Sequence, residues 1–218
     1  MKISTLILSA LGFFIGAQPS AVLAANTPAA ASYAEVAHQR AVKIVSALKL
    51  NDPAQTARVE ETVARQYRDL NAIQSERDRK IAETKKLPDQ AAAKTAITSA
   101  RTAADAAVQA LHADYLGRLA ADLSPTQIDQ VKDGMTYGVL PLTFRVYQQM
   151  LPNLTSAQKQ QILAWLTEAR EHAIDGGTSK EKYAWFGKYK GRINNYLSAA
   201  GIDMKAAEKN LSKPKAKS

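Results

Sequence analysis

The residues best suited to chemistry lie in one segment, Lys182-Tyr183-Ala184-Trp185-Phe186-Gly187-Lys188-Tyr189-Lys190-Gly191-Arg192-Ile193-Asn194-Asn195-Tyr196-Leu197. Five aromatic side chains are interleaved there with Lys182, Lys188, Lys190 and Arg192. On a helix, Phe186, Tyr189, Ile193 and Leu197 share one face, and packing alone accounts for that stripe. Trp185, Arg192 and Tyr196 border it, while Lys188, Lys190 and Asn195 point elsewhere. These extra residues fit a saccharide surface. Aromatic faces pack on sugar C–H groups, Lys, Arg and Asn bond hydroxyls or carboxylates, and the cations favour uronic-acid or other anionic sugars. Gly187 and Gly191 each cost about 1 kcal/mol relative to Ala inside a helix, so the pair predicts close approach by another backbone or by a ligand. The ligand-binding candidates are Trp185, Lys188, Tyr189, Arg192 and Asn195, with Tyr137, Arg145 and Trp165 as neighbours.

A second cluster, Glu168, Arg170, Glu171, His172 and Asp175, precedes that segment. Glu168, His172 and Asp175 fall on one helical face at i, i+4 and i+7, a spacing open to acid–base work or metal binding but equally to a solvated charged face. His38 and His112 stand isolated on other helices and read as structural or surface residues. No Gly-x-Ser-x-Gly, P-loop, dinucleotide-binding glycine pattern or His-Glu-x-x-His occurs. The chain holds no cysteine, which excludes disulfides, thiolate nucleophiles and Cys-ligated metals. No cofactor, metal site or self-sufficient catalytic constellation is expected, so the chain reads as non-catalytic.

The elements that position these residues follow from the chain order. Lys2, the apolar run Ile3 to Ile15, the break at Gln18-Pro19-Ser20 and the small residues ending at Ala24 form a cleaved secretory signal over residues 1–24. The run is too short to span a bilayer, and no other stretch is apolar enough. Cleavage would leave an exported, periplasmic or extracellular chain, with nucleic acid excluded as a partner by compartment. The formal charge of +9 suits an anionic oligosaccharide or polysaccharide, or simply solubility. Oligomeric state is not fixed by anything in the sequence.

Helix starts are written into a recurring pattern. Asp52, Ser124 and Thr155 each precede a Gln by three residues (Gln55, Gln127, Gln158), and Ser32 and Thr178 precede Glu35 and Glu181 in the same way. The spacing places an acceptor at the N-cap and Gln or Glu at N3, where each can satisfy an orphan backbone N–H. Pro53 and Pro125 fall at the first helical position. After a flexible lead-in over 25–31, helices are predicted from Ser32, from Pro53 to about Lys85, and from about Asp89 to Asp122. Shorter ones follow from Pro125 to Asp133, stopping at Gly134, from near Pro141 to before Pro152, from Ser156 to about Ile174, and from Thr178 to about Ala200. Asp203 caps a short last helix, and the Lys-rich tail from Lys209 is expected to be disordered. No period-two alternation appears, so the fold class is all-α: a long antiparallel helical hairpin, with alanines on its facing side, packed with a bundle of shorter helices. The organisation is 1–24 signal peptide, 25–122 N-terminal helices with the hairpin, 123–203 C-terminal helical core, and 204–218 short helix and tail.

Three stretches, Asp133-Gly134-Met135-Thr136-Tyr137, Ala164-Trp165-Leu166-Thr167-Glu168-Ala169-Arg170-Glu171 and Phe186 to Leu197, resemble a secreted bacterial domain-of-unknown-function family, number 3826 (DUF3826), over about residues 123–203. That resemblance implies sugar binding alongside polysaccharide-degradation systems and implies no catalytic residues. Leu154-Thr155-Ser156-Ala157-Gln158, and Leu123-Ser124-Pro125-Thr126-Gln127 with Ser for Thr, are similar to the Leu-Thr-x-x-Gln motif of periplasmic helical chaperones and stress sensors. The expected function is an exported helical binding protein for acidic or plant polysaccharide fragments, accessory to polysaccharide utilisation. The alternatives are a periplasmic helical chaperone and a polysaccharide-active enzyme using Glu168, Glu171 or Asp175.

Overall fold

A computed structural model describes residues 28–211, with side chains from Tyr33 to Lys209. The signal peptide expected over 1–24 and the tail beyond Leu211 lie outside the described residues. Eight helices and no strand occur among the described residues: α1 (Pro28–Ser46), α2 (Pro53–Thr84), α3 (Gln90–Asp122), α4 (Pro125–Met135), α5 (Val139–Met150), α6 (Ser156–Ala173), α7 (Ser179–Ala199) and α8 (Met204–Leu211). The all-α class is as the sequence predicts.

The N-cap pattern does most of the work of starting these helices. Ser124 with Gln127, Thr155 with Gln158 and Thr178 with Glu181 form reciprocal capping boxes. Two expected boxes are not made. Asp52 accepts from the Ala54 backbone N–H at 2.8 Å, but Gln55 turns away and donates to the Asp122 carbonyl, tying the start of α2 to the end of α3. Ser32 lies inside α1, which begins at Pro28, and Glu35 accepts from Gln39 instead.

The hairpin of α2 and α3 forms as expected, with Val59, Val63, Tyr67 and Leu70 buried on α2 and Ala93, Ala100, Ala104, Tyr115 and Leu119 buried on α3. Helix α4 runs past its expected stop. Gly134 stays helical, and a Cβ there would lie 2.9 Å from Ile44 Cγ2, so the missing side chain lets α1 approach. The turn comes later, where Tyr137 (φ 60°) and Gly138 (φ 67°) adopt left-handed conformations in succession. Helix α5 then starts two residues before Pro141, which sits harmlessly in its first turn.

Two apolar cores result. The first joins α1, the base of the hairpin and α4 around Ala41, Val45, Val63, Tyr115, Leu119, Val131 and Met135. The second joins α5, α6, α7 and α8 around Tyr147, Ile162, Leu166, Phe186, Ile193 and Leu197. Their junction is polar. Arg170 of α6, almost fully buried, reaches Asp129 (2.6 Å) and Asp133 (2.9 Å) on α4, and Lys132 of α4 reaches Glu171 at 2.9 Å. The α6–α7 loop docks on the hairpin by similar means. Gln74 Nε2 donates to the Asp175 carbonyl at 3.2 Å, and His112 Nδ1 lies 2.9 Å from Asp175 Oδ2.

Candidate functional site

Helices α6 and α7 run antiparallel, so the α6 residues Trp165, Glu168 and His172 meet the α7 residues Tyr196, Arg192 and Trp185 in that order along a surface seam. Trp165 contacts Tyr196 edge-on, with centroids 5.3 Å apart. The Arg192 guanidinium lies 4.6 Å from the Trp165 ring centroid, and its Nη1 is 3.7 Å from Glu168 Oε2. His172 stacks flat on Trp185, with centroids 4.3 Å apart and planes 17° apart, and the Lys188 ammonium sits 4.8 Å from the same indole centroid. The seam is thus a ladder of aromatic rings and cations. Arg192 keeps 56% of its side chain exposed, Lys188 is exposed and Trp185 is half-buried.

At its Trp185 end the seam opens into a cleft of about 450 Å³ between the hairpin and the α6–α7 loop. That size falls within the ordinary range for small-ligand pockets, roughly 300–1,000 Å³. Gln74, Arg77, Asp105, Gln109, Glu181 and Trp185 contribute to its walls, and so do His172 and Asp175. The position of the loop depends on Gly177, where a Cβ would fall 1.5 Å from Gln74 Oε1; only glycine leaves room for the Gln74 clasp.

Charge under the cleft is organised by burial. Asp175 raises the pKa of His112, chiefly through their hydrogen bond and secondarily through charge. Burial pushes Lys182 down to about 8; its ammonium donates to the Ile174 carbonyl at 3.3 Å and sits 5.6 Å from the Tyr67 ring centroid. Asp175 Oδ1 is buried with no hydrogen-bond partner among the described residues.

The expected site residues therefore divide. Trp165, Trp185, Lys188 and Arg192 are brought together on the seam. Tyr189 belongs to the second core, 5% exposed, with a pKa raised first by burial and then by Glu168. Asn195 is exposed on α7; its neighbour Asn194 accepts from the Tyr147 hydroxyl at 2.6 Å. Tyr137 joins a different patch, stacked on Tyr183 at 5.6 Å, both about half exposed. Arg145 is exposed on α5 and has no hydrogen bond, ion pair or ring contact with the seam. No other described residue makes the close approach expected at Gly187 and Gly191, since a Cβ at either would meet nothing within 4 Å.

The acidic cluster is dispersed among cations: Glu168 faces Arg192, Glu171 faces Lys132 and Arg170, and Asp175 faces His112. No group of three metal-ligating side chains is assembled among the described residues. His112 is not the isolated histidine the sequence suggests but one half of the clasp with Asp175. Gln74, Arg77, Asp105 and Gln109 also line the cleft, and none of them is among the site residues the sequence suggests. The Leu-Thr-x-x-Gln motifs serve here as helix caps, a local task that carries no likeness in function.

Residues 34–217 match the family described as "Protein of unknown function (DUF3826)", and the chain belongs to that family. No curated protein sequence matches the chain. No helix among the described residues is long and apolar enough to cross a membrane.

Proposed function

With the chain placed in that family, we propose that it is an exported helical binding protein for carbohydrate, an accessory to the use of acidic or plant polysaccharide fragments. The observation that carries this reading is the position of Trp185, in the wall of a polar cleft and at the end of an exposed aromatic–cation ladder. Sugars need both surfaces: an aromatic plane for their C–H faces and fixed polar groups for their hydroxyls. Gln74, Gln109, Asp105 and Arg77 supply those groups in the cleft. Lys188 and Arg192 supply cations along the seam, within reach of a carboxylate.

Nothing comparable favours the chaperone reading. The large exposed aliphatic side chains among the described residues (Val36, Val42, Leu87, Leu142, Leu163) are scattered over three helices, α1, α5 and α6, and the hairpin tip rather than gathered in one concave face. The test is titration of neutral and acidic oligosaccharides against the full chain while tryptophan fluorescence is followed. Binding should shift the emission, and Trp185→Ala should weaken affinity at least about tenfold when titrated well below its melting temperature, which falls because the indole also packs on the second core. Silence across the panel sinks the proposal.

A further inference from the structure

The two surfaces that share Trp185 differ in charge. The cleft is lined by the carboxylates of Asp105, Asp175 and Glu181 and by one guanidinium, Arg77, itself bonded to Asp78 at 2.8 Å; of the cations behind the wall, His112 is paired with Asp175 and Lys182 is buried. Along the seam the balance reverses, with Lys188 and Arg192 against Glu168 alone. The cleft carboxylates do not converge on a cation site, because no trio of metal-ligating groups is assembled among the described residues. They act instead as hydrogen-bond acceptors. Glu181 is taken up by the α7 cap and Asp175 by His112, so a hydroxyl-bearing ring finds its partners in Asp105, Gln74 and Gln109, whereas a carboxylate entering there meets like charges beside low-dielectric walls.

Building on the carbohydrate reading, we infer that the ligand is a mixed glycan: an uncharged sugar seated in the cleft against Trp185, and a carboxylate-bearing sugar next to it on the seam, held by Lys188 and Arg192. Lys188 is placed for this division. Its ammonium now sits over the indole, and a sugar ring arriving at Trp185 displaces it outward on its flexible four-carbon stem, toward the neighbouring acid. Arg192 follows one helical turn on, roughly 6 Å along the axis. Its separation of 3.7 Å from Glu168 is longer than a hydrogen bond, so an incoming carboxylate can take over its guanidinium.

The test is calorimetric titration of the full chain with three oligosaccharides of equal length: alternating neutral hexose and uronate, all uronate, and all neutral. The alternating chain should bind about tenfold more tightly than either of the others. Asp105→Asn should narrow the gap to the all-uronate chain, and Arg192→Gln should erase the advantage over the all-neutral one. An all-uronate or all-neutral chain that binds as well as the alternating one overturns the inference while leaving carbohydrate binding intact. Unchanged discrimination in Asp105→Asn overturns it too. If none of the three binds, the carbohydrate reading fails and takes the inference with it.

Discussion

Lys182 illustrates at the residue scale how interior chemistry sets stability. Its folded pKa of about 8 lies below the ordinary 10.5, so between those values the unfolded chain holds the proton more tightly than the folded one. Stability should therefore rise with pH across that window, and the full cost of burying the charge persists below pH 8. Lys182→Met should stabilise the protein at pH 7 by about 1–3 kcal/mol, allowing for the lost hydrogen bond to Ile174, with the gain fading by pH 10. Chemical denaturation at the two pH values checks this, and a destabilised variant at pH 7 contradicts it. His112 runs the other way. Its pKa is raised above 6.5 by Asp175, so its contribution is complete below pH 6.5 and is lost as pH rises through the folded value. In Asp175→Asn that slope should flatten. Sequence shows Trp185 and Arg192 plainly, because the helical wheel puts them beside an apolar stripe. The same wheel puts Tyr189 in that stripe, and its burial is the stripe's own logic. The His112–Asp175 and Gln74–Asp175 contacts were invisible, since they join residues 63 and 101 positions apart through tertiary docking alone.

At the scale of the element, helix starts were legible and helix ends less so. A start is marked by chemistry local to four residues, as at Ser124, Thr155 and Thr178. An end is decided partly by what packs nearby, as Gly134 shows by continuing α4 beneath Ile44. Glycines of the same apparent kind consequently predict different outcomes. Gly187→Ala and Gly191→Ala face open space on α7 and should each stabilise the fold by about 1 kcal/mol. Gly177→Ala must expel Gln74 and break its bond to the Asp175 carbonyl, and should destabilise by about 1–3 kcal/mol. Thermal melts of the three variants separate these cases, and a neutral Gly177→Ala would show that the loop is not clasped as described.

Across the whole molecule, two apolar cores meet through charge. Arg170 is the centre of that joint, inserted among Asp129, Asp133 and Glu171 with its Nε lacking any partner among the described residues. Deleting one member of a buried ionic group strands the others, at about 3–5 kcal/mol. Arg170→Ala should lose stability on that scale and should uncouple the halves, so that calorimetry records two transitions or one markedly broadened. A single transition of unchanged sharpness would mean that the cores cooperate by another route. The hairpin could be read from hydrophobic spacing, whereas the division into two cores, with α4 joining the first, and the polar joint between them could not, because the partners of that joint are exposed-looking charges on every helical wheel.

The cleft draws its walls from α2 and α3 on one side and from α6, α7 and their loop on the other. A guest molecule lodged there would be gripped by both halves at once and would behave as a removable rivet. Occupancy would then register far from the point of contact, as slower hydrogen exchange along α4 and the α6–α7 loop, which gives an assay for ligands that perturb neither tryptophan.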